Sequence, residues 1–220
     1  MTAEAALQPD ASRYGRYVGA LAIVLVAAFV VYSSLNPPRG IHTLRAGGMM
    51  PAFAVPLAGS DLVGDADIAT RANEGPAGRV PACQLRERRV LNICQLYEQG
   101  PVALVLFVAS APCTGVLDEL NSALAAFPGL RGAAVAIRGS RAAASELASR
   151  LSFPIGYDRD GAVAGIFGVV VCPQITLAYP GGRIAAPPLL RTPNNAELRR
   201  SLTTLYQASL ARGWRPPVHR

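Results

Sequence analysis

The apolar pattern changes its period near the middle of the chain. Residues 102–109 (VALVLFVA) form a continuous apolar run, which is typical of a strand buried on both faces. Ser110 follows as a candidate helix N-cap, with Pro112 in the first turn. Apolar residues then recur at helical spacing, at Leu117, Leu120, Leu124 and Phe127. The pattern predicts a buried strand followed by an amphipathic helix, with Cys113 in the first turn of that helix.

The alternation of strands and helices continues toward the C-terminus. Residues 132–139 (GAAVAIRG) predict a second buried strand, and Ser140 caps a second helix, so that parallel pairing through a right-handed crossover is expected. Residues 158–161 predict a turn before a short helix. A strand at residues 174–179 and a shorter one from Arg183 predict a hairpin. A final helix carries a buried stripe at Leu198, Leu202 and Leu205.

A charge-free apolar run lies near the N-terminus, at residues 17–35. Its length is close to the roughly 20 residues that a bilayer-spanning helix needs. A single N-terminal span after a short basic tail usually acts as a signal anchor. We therefore expect residues 1–16 to form a cytoplasmic tail and the C-terminal domain to lie outside the cytoplasm, in a single-pass protein of the cell membrane. A cleaved signal peptide is the alternative, although its apolar region would be shorter.

The rest of the chain divides by composition. Residues 36–50 are rich in Gly, Pro and Arg and predict a linker. The length of 220 residues and the hydrophobic content of 51% allow one domain, expected at residues 51–211, with a tail at residues 212–220. A polar insertion with two cysteines occupies residues at about 65–100. Its second half predicts either a hairpin-like loop or a short helix after an extended piece.

The charge pattern argues against a nucleic-acid partner. The formal net charge is +7, and all 21 basic residues are arginine. They are scattered along the chain, and the tightest group is Arg86, Arg88 and Arg89. A nucleic-acid surface is normally clustered and interleaved with aromatic residues. We therefore expect a solvated basic surface.

The chain contains four cysteines, and no two of them form a C-x-x-C motif. Thiols outside the cytoplasm tend to pair, and an even number leaves none unpaired. Cys83 and Cys94 lie in the polar insertion and predict a structural disulfide. The two histidines, His42 and His219, lie near the ends of the chain. We therefore expect no metal site and no cofactor.

Two segments carry a resemblance to a known superfamily. Residues 51–60 (PAFAVPLAGS) place a proline, an aromatic residue and alternating apolar residues before a small turn. Residues 153–184 (FPIGYDRDGAVAGIFGVVVCPQITLAYPGGRI) contain an Asp-x-Asp-Gly turn, a Gly-Val-x-x-x-Pro motif and a glycine-containing hairpin. The chain resembles the thioredoxin-like superfamily, especially membrane-tethered extracytoplasmic thioredoxins and the alkyl hydroperoxide reductase/thiol-specific antioxidant group. The resemblance implies an α/β fold with a central mixed sheet flanked by helices, and a cis peptide bond at Pro173 facing the active site.

The chain departs from this superfamily at the catalytic motif. Thioredoxins carry Trp-Cys-x-x-Cys after the first core strand, whereas residues 107–120 (FVASAPCTGVLDEL) contain one cysteine and no tryptophan. In one alignment Cys113 matches the resolving cysteine, and the attacking cysteine is missing. In the other, Ser110 and Cys113 match the hydroxyl residue and the peroxidatic cysteine of peroxiredoxins.

The resemblance also implies a partner for Cys113, because it places the residue before the cis-proline, Cys172, beside the start of the helix. A cysteine in the first turn of a helix is favoured as a thiolate. The first hypothesis is a thiol-disulfide oxidoreductase in which Cys113 and Cys172 form a non-contiguous redox pair that exchanges with a protein thiol or disulfide. The second is a thiol peroxidase in which Cys113 attacks peroxide and Cys172 resolves.

A third group of hypotheses gives the protein no catalytic activity. Cys113 is then a small buried apolar residue, or it forms a permanent bond with Cys172. The fold would serve as a binding module whose groove near Pro173 holds an extended peptide. Insulin reduction, peroxide consumption or neither activity separates the three hypotheses.

Overall fold

The computed structural model describes residues 11–35, 44–110, 113–169 and 171–217. The chain divides into two compact units, Met1–Gly40 and Ile41–Arg220. In the first unit, helix α1 spans Ala11–Leu35, and its large apolar side chains from Tyr17 to Tyr32 are exposed. Within the residues that the structure describes, no helix is both long enough and apolar enough to cross a membrane. Residues 1–10 of the predicted tail lie outside the described residues.

The second unit alternates strands and helices. Its strands are β1 (Ala54–Pro56), β2 (Val90–Asn92), β3 (Val102–Val108), β4 (Arg131–Arg138), β5 (Ile155–Tyr157) and β6 (Gln174–Ala178). Its helices are α2 (Ile93–Gln99), α3 (Gly115–Leu124), α4 (Arg141–Arg150), α5 (Ala162–Ile166) and α6 (Asn195–Ala211). Short 3₁₀ turns lie at Gly75–Ala77 and Ala82–Gln84.

The central sheet has the strand order β5-β4-β3-β6. Strand β4 pairs in parallel with both β3 and β5, whereas β6 is antiparallel to β3. Helix α3 connects β3 to β4, and helix α4 connects β4 to β5, which allows these strands to pair in parallel. Strand β6 runs in the opposite direction at the other edge, so the sheet is mixed. The prediction of a mixed sheet flanked by helices is therefore confirmed.

Strand β3 lies inside the sheet because its side chains are apolar on both faces. Ala103, Val105 and Phe107 point into one half of the core, which also contains Leu117 and Leu120 of α3 and the stripe of α6. The alternate residues of β3, Val102, Leu104 and Leu106, point into the other half of the core, which also contains residues of α5 and of the β1–β2 pair. This two-sided burial removes a large apolar area from water and fixes the position of the C-terminal end of β3.

The cysteine-containing insertion is folded onto the domain. Strand β2 pairs antiparallel with β1 and leads directly into α2, so the short helix after an extended piece is the alternative that the structure adopts. The end of the segment predicted as a linker contacts the domain. Residues 36–43 lie outside the described residues, whereas Met50 is buried and its N–H donates to the carbonyl of Gly182 at 2.8 Å. Residues 44–50 are therefore part of the domain.

The prediction that Ser110 caps the first core helix is wrong. Helix α3 begins at Gly115, and its N-cap position is occupied by Thr114 without a side-chain hydrogen bond. Ser110 instead accepts the N–H of Cys113 through its carbonyl oxygen at 3.0 Å, which makes a turn before the helix. Cys113 therefore precedes the first helical turn, and Pro112 lies outside the described residues.

The hairpin predicted to begin at residues 174–179 is present, but only its first arm is a continuous strand. Strand β6 is its first arm, and the return arm makes isolated bridges rather than a continuous strand. The N–H of Tyr179 donates to the carbonyl of Arg183, and the N–H of Ala185 donates to that of Leu177, both at 2.8 Å. These bonds close the turn and cover the outer edge of β6.

Candidate functional site

Cys113 lies in the loop that leaves the C-terminal end of β3. The N–H of Ala109 donates to the carbonyl of Arg138 at 2.9 Å, which holds the start of this loop against the end of β4. The turn from Ser110 to Cys113 follows, and α3 begins two residues after the cysteine. Cys113 is therefore positioned by the two central strands of the sheet.

Cys172 lies two residues before the start of β6, and the peptide bond between Cys172 and Pro173 is cis. The structure joins Cys172 to Cys113 by a disulfide, with their Cα atoms 5.8 Å apart. Both cysteines are half-buried and Pro173 is buried. The two residues proposed as a redox pair are thus brought together across a sequence separation of 59 positions. Their catalytic role stays a prediction.

A backbone amide contacts one sulfur of this disulfide. The N–H of Val108 donates to Sγ of Cys172 at 3.1 Å. The paired residues of β3 and β6 end at Leu106 and Gln174, so Val108 lies opposite Cys172 just beyond the ladder. A hydrogen bond to sulfur favours the thiolate over the thiol, because the negative charge strengthens the interaction. Sequence reasoning missed this donor, although extending the register of the two strands would have paired the two residues.

A cavity of about 190 Å³ opens beside Cys172. It is lined by the ends of β3 and β4, by α5 and by the loop before β6: Val108, Ile137, Arg138, Ala164, Val169, Val171 and Cys172. Arg138 is the charged member of this lining, and the remaining side chains are aliphatic apart from the cysteine. The disulfide therefore borders an apolar recess that carries one cation.

Asp158 is a buried carboxyl near the same end of the sheet. It follows β5, and its Oδ2 accepts the N–H of Ala164 at 2.9 Å. Its Oδ1 is buried and has no hydrogen-bond partner among the described residues. Burial raises the pKa of Asp158 to about 6, and repulsion from Asp160 adds to the increase. The sequence analysis placed this residue in a turn but gave no sign of its burial.

The second disulfide joins Cys83 to Cys94, with their Cα atoms 5.2 Å apart. Cys94 is buried in the first turn of α2, and Cys83 lies in the 3₁₀ turn Ala82–Gln84. Asn92 links the two segments, because its side chain accepts from the N–H of Cys94 at 2.9 Å and donates to the carbonyl of Ala82 at 2.8 Å. This arrangement supports the structural role predicted for the bond, and that role also stays a prediction.

Potential metal ligands are dispersed in the part of the chain that the structure describes. There, no group of three or more His, Cys, Asp or Glu side chains is arranged to hold a metal ion. The four cysteines are all in disulfides. The groups that the structure places at the site include the two sulfurs, the Val108 amide and the side chain of Arg138.

Comparison with known proteins identifies the fold. No protein-family profile matches the chain, and no curated protein matches it by sequence. The thioredoxin domain of a thiol-disulfide oxidoreductase from Bacteroides vulgatus is similar in structure, with a TM-score of 0.52 and 14% identity, over 74% of this chain and 99% of that one. Peroxidoxin BcpB from Mycobacterium tuberculosis matches with a TM-score of 0.51 and 16% identity, over 74% and 96% of the two chains.

These likenesses confirm the predicted thioredoxin-like resemblance at the level of the fold. At such identities they identify the fold alone. The molecule is thus an α/β protein with the thioredoxin-like fold, whose structural neighbours include thiol-disulfide oxidoreductases and a peroxidoxin. Function depends on the site itself, because one fold hosts many activities.

Proposed function

We propose that this protein is a membrane-anchored, extracytoplasmic thiol-disulfide oxidoreductase that uses Cys113 and Cys172 as its redox pair. The observation that carries the proposal is the bond between two cysteines that are remote in sequence, at the end of the central strands and next to Pro173. A structural neighbour that is a thiol-disulfide oxidoreductase supports the same class of chemistry.

The reaction is an exchange of disulfides in two steps. A thiolate of a reduced partner attacks Sγ of Cys113, the Cys113–Cys172 bond breaks, and Cys172 leaves as a thiolate. The second thiolate of the partner then attacks the partner's first sulfur, which is bonded to Cys113. The partner's own disulfide forms, and Cys113 leaves as a thiolate. The partner loses two electrons and two protons and gains a disulfide, while Cys113 and Cys172 gain the electrons and protons as thiols. The reverse sequence reduces a partner disulfide.

The Val108 amide supports this assignment of roles. A sulfur whose thiolate is stabilised is the better leaving group in disulfide exchange. The N–H of Val108 contacts Sγ of Cys172, so Cys172 is the sulfur that leaves and Cys113 is the one that forms the mixed disulfide. This assignment does not depend on a helix N-terminus at Cys113, which the fold does not provide.

Variants of single cysteines test the proposal. The purified oxidised protein should oxidise a dithiol peptide in a single turnover, and Cys113→Ser or Cys172→Ser should abolish the reaction. When Cys172→Ser is given the disulfide form of the peptide, the Cys113 thiolate should attack it and form a mixed disulfide while the second peptide sulfur is freed as a thiolate, and mass spectrometry should detect this adduct. The double variant Cys83→Ser/Cys94→Ser is the matched control and should remain active. Oxidation that persists without Cys113 and Cys172 would overturn the proposed function.

A peroxide assay separates the alternative chemistry. If the chain consumes hydrogen peroxide at the expense of a dithiol, and Cys113→Ser abolishes this consumption, the thiol peroxidase is the better description. If both assays give no turnover with the wild-type protein, the fold serves as a binding module. The structural likeness to a peroxidoxin is the reason to include this assay.

The proposed location rests on the N-terminal helix. Residues 17–35 contain no charge, and the run extends beyond Tyr32, the last side chain of α1 that the structure describes. The large apolar side chains of α1 from Tyr17 to Phe29 are exposed, and a bilayer would remove them from water. The full chain should remain in the membrane fraction after an alkaline carbonate wash, whereas a variant that begins at residue 41 should be released. Release of both would contradict the anchor.

Protease treatment tests the orientation. Cells are treated so that protease passes the outer layers of the envelope while the cytoplasmic membrane stays sealed. Protease should then digest the C-terminal domain, and a cytoplasmic control protein should survive. Protection of the domain would place it on the cytoplasmic side, where thiols are kept reduced.

A further inference from the structure

The cavity beside Cys172 is small and mostly apolar. Its volume of about 190 Å³ is below the roughly 300–1,000 Å³ of pockets that hold drug-sized ligands. The space suits one or two side chains of a partner rather than a large cofactor. Because Cys172 forms part of the wall, an occupant of this cavity lies next to the disulfide.

Arg138 supplies the charge at this cavity. It is the last residue of β4, and its carbonyl accepts the N–H of Ala109, so its backbone is fixed by the sheet. Its side chain is exposed and makes no hydrogen bond or ion pair among the described residues. Other arginines of the domain are occupied: Arg86 binds Glu98, and Arg141 binds the carbonyls of the loop at residues 57–62. The guanidinium of Arg138 is therefore available to an external anion.

The carboxyl groups of the turn after β5 accept hydrogen bonds from backbone amides. Asp158 accepts the N–H of Ala164, and Asp160 accepts the N–H of Ala66 at 3.2 Å. Arg159, on the same turn, pairs with Asp65 at 3.7 Å. Within the part of the chain that the structure describes, no carboxylate forms an ion pair with Arg138.

We infer that this cavity is a substrate subsite in which Arg138 binds a carboxylate located close to the reacting sulfur of the partner. The inference rests on the proposed function and adds a substrate preference to it. The spacing fits an extended peptide, in which residues two positions apart are separated by about 7 Å and point to the same side. The Cα atoms of Cys113 and Cys172 are 5.8 Å apart. When the cysteine of a partner peptide is bonded to Cys113, the side chain two positions further along that peptide therefore lies beside Cys172 and Arg138.

Exchange with matched peptides provides the first test. Three dithiol peptides carry Glu, Gln or Lys two positions from the attacking cysteine and are otherwise identical. The full-length protein should oxidise the Glu peptide about fivefold faster than the Gln peptide, which corresponds to one exposed ion pair. The preference should decline as ionic strength increases. Arg138→Gln should remove the preference for the Glu peptide over the Gln peptide.

A second arginine provides the control. Arg150 is an exposed residue in the last turn of α4 and does not line the cavity. Arg150→Gln changes the net charge of the protein by the same amount and should retain the preference. A loss of preference in Arg150→Gln equal to that in Arg138→Gln would overturn the subsite, because it would reflect net charge alone.

Binding without chemistry separates this inference from the proposed function. Cysteine-free versions of the three peptides are titrated into the oxidised full-length protein, and NMR chemical shifts report dissociation constants. The Glu peptide should bind about fivefold more tightly than the Gln peptide, and Arg138→Gln should equalise these two affinities. Equal affinities in the wild-type protein would overturn the inference whatever the exchange activity. Preferential binding without exchange would support the subsite and contradict the proposed function.

A small thiol distinguishes the source of the carboxylate. 3-Mercaptopropionate and 2-mercaptoethanol differ by the acid group and are compared as reductants of the Cys113–Cys172 bond. A preference for the acid that depends on Arg138 would assign the subsite to small thiol acids as well. A preference confined to the peptides would assign it to protein partners. Absence of an Arg138-dependent preference in both arms would overturn the inference.

Discussion

The substitution Asp158→Asn tests how burial controls a charge at the C-terminal end of the sheet. Burial raises the pKa of Asp158 from 3.8 to about 6. In the unfolded chain the carboxyl titrates near its ordinary value, so the native state holds the proton more tightly. The resulting stability is fully present below the ordinary pKa and is lost as the pH rises through the native value.

The size of the effect follows from the difference between the two pKa values. One pKa unit corresponds to about 1.4 kcal/mol, so a change from 3.8 to about 6 amounts to about 3 kcal/mol. The wild-type protein should therefore lose about 3 kcal/mol of unfolding free energy between pH 3.5 and pH 7 through this residue. Asp158→Asn removes the ionisable group and should remove that loss, while its amide oxygen can still accept the N–H of Ala164.

Thermal unfolding of the full chain in mild detergent, followed by near-ultraviolet circular dichroism, provides the assay. The difference between Asp158→Asn and wild type should increase with pH across this interval and then level off. Glu146→Gln, at an exposed position of α4, is the control and should leave the profile unchanged. If Asp158→Asn shows the same pH dependence as wild type, burial of this carboxyl does not control the stability of the domain.

Three further predictions concern the insertion and the core. Replacing both Cys83 and Cys94 by Ser should lower the unfolding free energy by about 3 kcal/mol in urea titrations, because the bond closes a loop with a sequence separation of 11. Asn92→Ala should cost at least about 2 kcal/mol, since it removes a helix cap and a buried link, whereas the exposed cap change Asn194→Ala should cost about 1 kcal/mol. Leu120→Ala should cost about 2–5 kcal/mol in the same assay, and a smaller loss would show that the core refills the space.

Much of the sheet could be predicted from apolar periodicity. The strand predicted at residues 102–109 is observed as β3, and the one predicted at residues 174–179 is observed as β6. Continuous apolar runs leave a chain little choice, since every residue of such a strand needs a buried environment. Short strands depend on their partners instead, and β5 consists of only three residues, which lie directly before the turn predicted at residues 158–161.

The start of α3 was predicted wrongly for a related reason. Ser110 has the side chain of a cap, and capping propensity is a local property. The residues around this position contact distant segments instead: Ala109 donates to the carbonyl of Arg138, and Cys113 is bonded to the sulfur of Cys172. Such contacts outweigh a cap that is worth about 1 kcal/mol.

The amino-acid sequence by itself determined the buried strands, the amphipathic helices and hence the layered α/β architecture, because burial of apolar residues follows a period that is local in the chain. The family resemblance had already placed Cys172 beside Cys113, whereas only the tertiary structure decided that Cys172 contacts the Val108 amide and that Arg138 borders the same recess. The physical reason is strand register. Pairing of β3 with β6 and β4 brings the ends of three distant segments to one edge, and that alignment depends on long-range hydrogen bonds that no local pattern encodes.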